Sequence, residues 1–167
     1  MNYSRKELVQ SEATMNQIRN SVYILQRFMR NNGITEIQHR LRRMGQNIAH
    51  TYIKFWKPIE RIDLNNIKDV LATLYKNILN SMVSIEINTS NHTISVKDND
   101  CALCKYHFDD IEVAGCEIIA SMVVEFINLI NAQSAAPFSV ETVNIKESRA
   151  LGHKMCLHVY KYFEGGQ

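Results

Sequence analysis

The stretch Val113–Ile130, "VAGCEIIASMVVEFINLI", is apolar on nearly every side of a helix. A helix that is hydrophobic all round cannot lie on a surface, so this one must be central, with other elements covering it. The pattern places it over Ile111–Asn131, with Asp109 or Asp110 as its cap. It carries Gly115 mid-helix, with Ala114 and Ala120 on nearby turns.

Three further helices are available to cover it. In Ser4–Arg30, the residues Leu8, Met15, Ile18, Val22, Leu25 and Met29 follow heptad spacing with one gap at Ser11. That is a narrow apolar seam, which needs a partner helix from this chain or another copy. Asn31–Gly33 ends the helix, with Gly33 as a left-handed cap. A second helix begins near Thr35 as N-cap and stops at Pro58. Ile37, Leu41, Met44, Ile48 and Tyr52 share one face, with Gly45 on its edge. Glycine there costs about 1 kcal/mol relative to alanine, so its missing side chain implies a close approach by another backbone. A third helix runs from an Asp63 cap to about Asn80, with Ile67, Val70, Leu71, Leu74, Ile78 and Leu79 in a broad buried stripe.

The period then switches to two. Val83, Ile85 and Ile87 alternate with polar residues, as do Ile94 and Val96, around the turn Thr89–His92. This is a β-hairpin pattern. Cys101–Asp110 is readable as strand or loop, Asn131–Pro137 as a loop, and Gly165–Gln167 as a loose tail. Phe138–Glu147 and His153–Phe163 form two closing strands. The expected fold is α+β, a helical layer packed on a small antiparallel sheet in the order α-α-α-β-β-α-β-β. A chain of 167 residues is expected to form one domain over 1–167.

Charge and leader sequences narrow the function. The net charge of +2 is too small to argue for nucleic acid. Residues 1–61 nevertheless hold eleven Lys/Arg against four Asp/Glu, so the basic half suits an acidic partner or an anionic membrane surface. No apolar run reaches membrane-span length and the start is polar, so the expected location is cytoplasmic, with peripheral membrane contact open. The two Asn-x-Ser/Thr triplets at Asn88 and Asn91 are then chance matches, and the four cysteines are expected as thiols.

Catalytic patterns are sparse. There is no G-x-S-x-G, P-loop or dinucleotide fingerprint. Six histidines are present, but no spacing pairs one with a nucleophile. His153 and His158 fall on opposite faces of a strand. The expectation is a non-enzyme with no catalytic residue. Cys101-x-x-Cys104 is the one compact metal-like motif, which Cys156, Cys116, His107, His153 or His158 could complete. A second paired motif is missing and Cys116 falls within the central helix, so no metal is expected and zinc is the disfavoured alternative, with Cys101, Cys104 and Cys156 as its ligands. Met and aromatic residues, among them Met82, Met122 and Phe126, are read first as core and second as the lining of an apolar pocket.

Several stretches together resemble a known family: "IQHRLRRMGQNIAHTYIKFW", "IKDVLATLYKNIL", "HTISVKDNDCALCKYHF" and "DIEVAGCEIIASMVVEFINLI". Their order and spacing over residues 15–163 resemble the small subunits of the TRAPP vesicle-tethering particle, Bet-three branch, and the related 4-vinyl reductase (V-four-R) domain, in a divergent or archaeal form. Leu41, Met44, Gly45 and Ile48 match one family element, and Ala114, Gly115 and Cys116 another. Gly152, Cys156 and the Cys101/Cys104 pair look more like the V-four-R tail. Two departures stand out. Ala49-His50 replaces a second small residue, and "KPIERID" lacks the cysteine that is acylated in some TRAPP subunits.

The resemblance implies a dimerising scaffold subunit of a vesicle-tethering complex, pairing as homodimer or heterodimer with related subunits. It implies contact with a small GTPase only through the assembled complex. The interface expected on that basis is Met15, Ile18, Val22, Leu25, Met29, Leu41, Met44, Gly45, Ile48 and Tyr52. An apolar pocket of Leu74, Ile78, Met82, Ile119, Met122 and Phe126 would hold a noncovalent lipid or acyl chain. The alternative is a V-four-R-type sensor or binding domain for a hydrophobic ligand or metal.

Overall fold

The computed structural model describes residues 4–56, 61–132 and 138–164. Its helices are α1 (Arg5–Asn31), α2 (Ile37–Tyr52), α3 (Ile67–Leu79) and α4 (Glu117–Asn131). Its strands are β1 (Val83–Asn88), β2 (Thr93–Asp98), β3 (Ser139–Glu147) and β4 (Cys156–Phe163). The fold is α+β, and the elements follow the order that the periodicities imply, with a short 3-10 turn, Arg149–Leu151, before β4.

The strands form one antiparallel sheet in the order β1-β2-β4-β3. In the hairpin, Val83 faces Asp98 and Asn88 faces Thr93. The Asn88 side chain accepts the Asn91 N–H at 3.1 Å and His92 takes a positive φ of 51°, which closes the turn. β4 lies between β2 and β3, and Cys156, His158, Tyr160 and Tyr162, spaced by two, are all buried. The β3–β4 pairing breaks register between Thr142 and Asn144 and again between Ile145 and Glu147.

Both ends of α1 are set by local sequence. Ser4 and Glu7 form a capping box. At the other end, Gly33 (φ 72°) donates to the Arg30 carbonyl and Ile34 to the Met29 carbonyl. That is the Schellman arrangement expected of a left-handed glycine.

Gly45 is where α2 meets α4. A Cβ there would lie 2.1 Å from the Ile118 carbonyl oxygen and 2.8 Å from the Met122 nitrogen. The close neighbour is thus a helix of the same chain, not of a second subunit. Around this contact, Glu117 is buried and accepts from Gln38 Nε2 and Arg42 Nε, each at 2.7 Å. Trp56 stacks on Phe126 at 5.5 Å. Asn128 joins α4 to β3 by pairing with both the N–H and the C=O of Val140, at 3.0 Å each. Tyr75 of α3 joins β4 through His158 Nδ1 at 2.6 Å and the Tyr160 hydroxyl at 3.0 Å.

Several boundaries differ from the sequence reading. α2 begins after Glu36, which makes no side-chain cap bond, rather than after Thr35. α3 begins at Ile67, because Asp63 accepts the Asn65 N–H at 2.7 Å and shapes a turn instead of capping the helix. α4 begins at Glu117 rather than Ile111, so Gly115 lies in the preceding turn and not mid-helix. A Cβ on Gly115 would come within 2.8 Å of the Tyr23 hydroxyl. Cys101–Asp110 is loop and turn, and the last two strands start at Ser139 and Cys156. Pro58, most of the Asn131–Pro137 loop and the tail Gly165–Gln167 lie outside the described residues.

Candidate metal centre and open helical face

The late start of α4 changes what Cys116 can do. It occupies the N-cap position, where its side chain is directed by a turn and not by a helix wall. Cys101 and Cys104 sit in the turn that follows β2, with the Cys104 N–H donating to the Cys101 carbonyl at 3.1 Å. Cys156 opens β4, directly opposite Asp98, the last residue of β2. Three separate parts of the chain thereby converge. The four sulfurs all lie within 4.8 Å of one another, and all four residues are buried.

In a tetrahedral tetrathiolate site with metal–sulfur bonds near 2.3 Å, the sulfurs lie about 3.8 Å apart. An upper bound of 4.8 Å on every sulfur pair accommodates that spacing, and all four cysteines are free thiols. Polar groups surround the sulfurs. The Arg149 N–H donates to Cys156 Sγ at 3.5 Å, and the Tyr23 hydroxyl lies 3.5 Å from Cys104 Sγ. The Ser148 hydroxyl is 4.0 Å from Cys116 Sγ and 3.9 Å from Cys156 Sγ. Buried His158 and Asp98 each hold one atom, Nε2 and Oδ2, without a hydrogen-bond partner among the described residues. The thiols of Cys101, Cys104 and Cys116 pull the Cys156 pKa far below the ordinary cysteine value. Burial weighs against ionising Asp98 and raises its pKa.

The cysteine-bearing loop is also the bed of α1. Arg19 Nε donates to the Ala102 carbonyl at 2.8 Å, and the Tyr23 hydroxyl to the Leu103 carbonyl at 2.8 Å. Lys105 pairs with Glu12 at 2.7 Å. Arg27 grips Asp110 through two bonds of 2.6 and 2.8 Å, and Arg30 donates to the Asp110 carbonyl. The Tyr23 and Phe108 rings meet at 4.4 Å.

The residues expected at an interface divide into two groups. Val22, Met29, Leu41 and Gly45 are buried within the chain itself and have no surface to offer a partner. Met15, Met44 and Tyr52 are half-buried, and Ile18, Leu25 and Ile48 are exposed. Two further residues on α1, Ile24 and Phe28, are each 61% exposed. Heptad reading passes over them; their own four-residue spacing, beside Leu25, was the available signal.

Of the residues expected to line a pocket, Leu74, Ile119, Met122 and Phe126 are core and Ile78 is half-buried. Met82 is 78% exposed and borders a separate hollow of about 140 Å³ with Ala72, Thr73, Lys76, Ser81 and Val83. The structure therefore does not bring Met82 together with the other five. Cys101, Cys104 and Cys156 are brought together, and Cys116 joins them.

No protein-family model and no curated protein matches the sequence. Among solved structures, the chain is similar to a trafficking protein particle complex subunit 3 from Naegleria fowleri, covalently bound to palmitic acid. The TM-score is 0.64 at 13% identity, covering 93% of this chain and 98% of that one. The likeness is one of fold.

Proposed function

We propose that this chain is a non-enzymatic scaffold subunit that dimerises through α1 and assembles with related subunits, in the manner of a TRAPP-type vesicle-tethering particle. The observation that carries the reading is the apolar strip on α1. Ile18, Ile24, Leu25 and Phe28 occupy neighbouring helical positions and are 38–61% exposed. Covering such a side chain fully contributes about 1.5–3 kcal/mol. Contiguous exposed apolar surface of this kind marks interaction sites. α1, with 27 residues, is about 40 Å long.

The fold likeness to a trafficking-complex subunit supports the same reading. In it, a small GTPase would be met only by the assembled complex. Exposed Arg40, Arg43 and Lys54 would face an acidic partner or an anionic membrane. Sedimentation equilibrium tests the proposal: the purified chain is expected to be a dimer, and the double variant Ile18→Asp, Phe28→Asp a folded monomer. A monomeric wild-type chain, or a double variant that still dimerises, overturns it.

A second reading, a V-four-R-type binding domain, draws support from the buried cysteine cluster. Native mass spectrometry separates the two. A stoichiometric organic ligand in the interior favours the binding domain, and a dimer without one favours the scaffold.

A further inference from the structure

We infer that Cys101, Cys104, Cys116 and Cys156 bind one zinc-class divalent ion as a tetrathiolate, and that this ion holds the loop on which α1 docks. Four buried sulfurs contributed by three chain segments lie within 4.8 Å of one another. Core packing of thiols as small hydrophobes does not require that convergence. The surrounding groups point the same way. A bound ion replaces four S–H bonds by metal–sulfur bonds, releasing up to four protons to solvent and leaving a buried net charge of about −2. Such sulfurs need N–H and O–H donors. The Arg149 amide and the Ser148 hydroxyl already border them. The imidazole Nε2 of His158, two residues along β4 from Cys156, is buried and without a partner among the described residues. Four soft thiolates gathered this closely select zinc over calcium, magnesium or manganese.

The second half of the inference follows from where α1 is attached. Ala102 and Leu103, which receive Arg19 and Tyr23, lie between the two ligands of the Cys-x-x-Cys turn. Lys105, Phe108 and Asp110, which receive Glu12, Tyr23 and Arg27, follow within six residues of Cys104. Gly115, which the Tyr23 hydroxyl nearly touches, precedes the ligand Cys116. α1 meets little of α2 by comparison. Losing the ion would therefore free the bed of α1 and disorganise its apolar strip. That consequence for assembly rests on the dimer proposed above; metal binding and α1 docking do not.

The experiment uses the full chain kept reduced, analysed for metal as purified. It is then stripped by chelator and reloaded with zinc or cobalt(II) alone. One ion per chain is expected, with thiolate-to-cobalt charge-transfer absorption. Cys116→Ser is expected to weaken binding by at least about tenfold. Hydrogen exchange is read in the Ile18→Asp, Phe28→Asp background, where no partner covers α1. There, loading is expected to slow exchange in α1 and in 101–110 by about tenfold. Arg27→Ala, which removes the grip on Asp110 and touches no sulfur, is expected to keep the ion while speeding exchange in α1, which separates docking from mere folding. Substoichiometric metal under reducing conditions, or equal α1 exchange in loaded and stripped protein, overturns the inference. Metal-dependent protection in a chain that is always monomeric would remove the dimer reading and leave this one intact.

Discussion

Gly45 sits where two helix backbones touch, and the distances there set what a side chain would do. Alanine would gain about 1 kcal/mol of helix propensity. Its Cβ would meet the Ile118 carbonyl oxygen at 2.1 Å, and backbone cannot rotate away as a side chain can. Overpacking of this kind costs up to about 3 kcal/mol, so the clash wins. Gly45→Ala is expected to lower the urea midpoint by a net loss of about 2 kcal/mol with an unchanged m-value. An unaltered or higher midpoint would mean that α2 and α4 separate at little cost. The close approach was legible in the sequence, because a glycine at the edge of an apolar helix face has few other uses. Its partner was not, since nothing local distinguishes α4 of the same chain from a helix of another copy. Cys116 shows the reverse case. Unbroken apolar periodicity from Ile111 placed it inside a helix, whereas it stands at the N-cap, after a Gly115 that packs closely on Tyr23 and Leu103.

At the scale of elements, α1 is held as much by polar anchors as by packing, so its docking responds to pH. The Arg27 guanidinium, by hydrogen bonding, holds the Asp110 carboxyl down to about 2, with Arg27 and Arg30 charges adding to it. An unfolded aspartate titrates near about 3.9. A depressed acid stabilises the folded form above the unfolded value and loses that contribution as pH falls through the folded one. Stability is therefore expected to decline between about pH 4 and pH 2, partly through this pair. Asp110→Asn should flatten that part of the profile and speed α1 exchange at neutral pH. Identical profiles for variant and wild type would show the pair to be solvated and without effect. The long helix itself was readable from its heptads, its Ser4–Glu7 box and Gly33. The width of its apolar face was not, because the buried side centred on Tyr23 and Gln26 takes in only Val22 and Met29 of the seam.

For the molecule as a whole, a dimer that covers the α1 strip makes stability depend on concentration. The melting temperature is expected to rise with protein concentration, by mass action, and to lose that dependence in the Ile18→Asp, Phe28→Asp variant. A wild-type melting temperature independent of concentration over a hundredfold range, on the order usual for such linkage tests, would contradict a reversible dimer. By itself the sequence determined the kind and order of the elements, the hairpin register and the central place of α4, because each follows from periodicity, turn residues and local caps. Tertiary structure alone decided the β1-β2-β4-β3 order, which backbones meet at Gly45, and the convergence of Cys101, Cys104, Cys116 and Cys156. Those depend on pairings between residues dozens of positions apart, and local patterning carries no information about which distant surface closes on which.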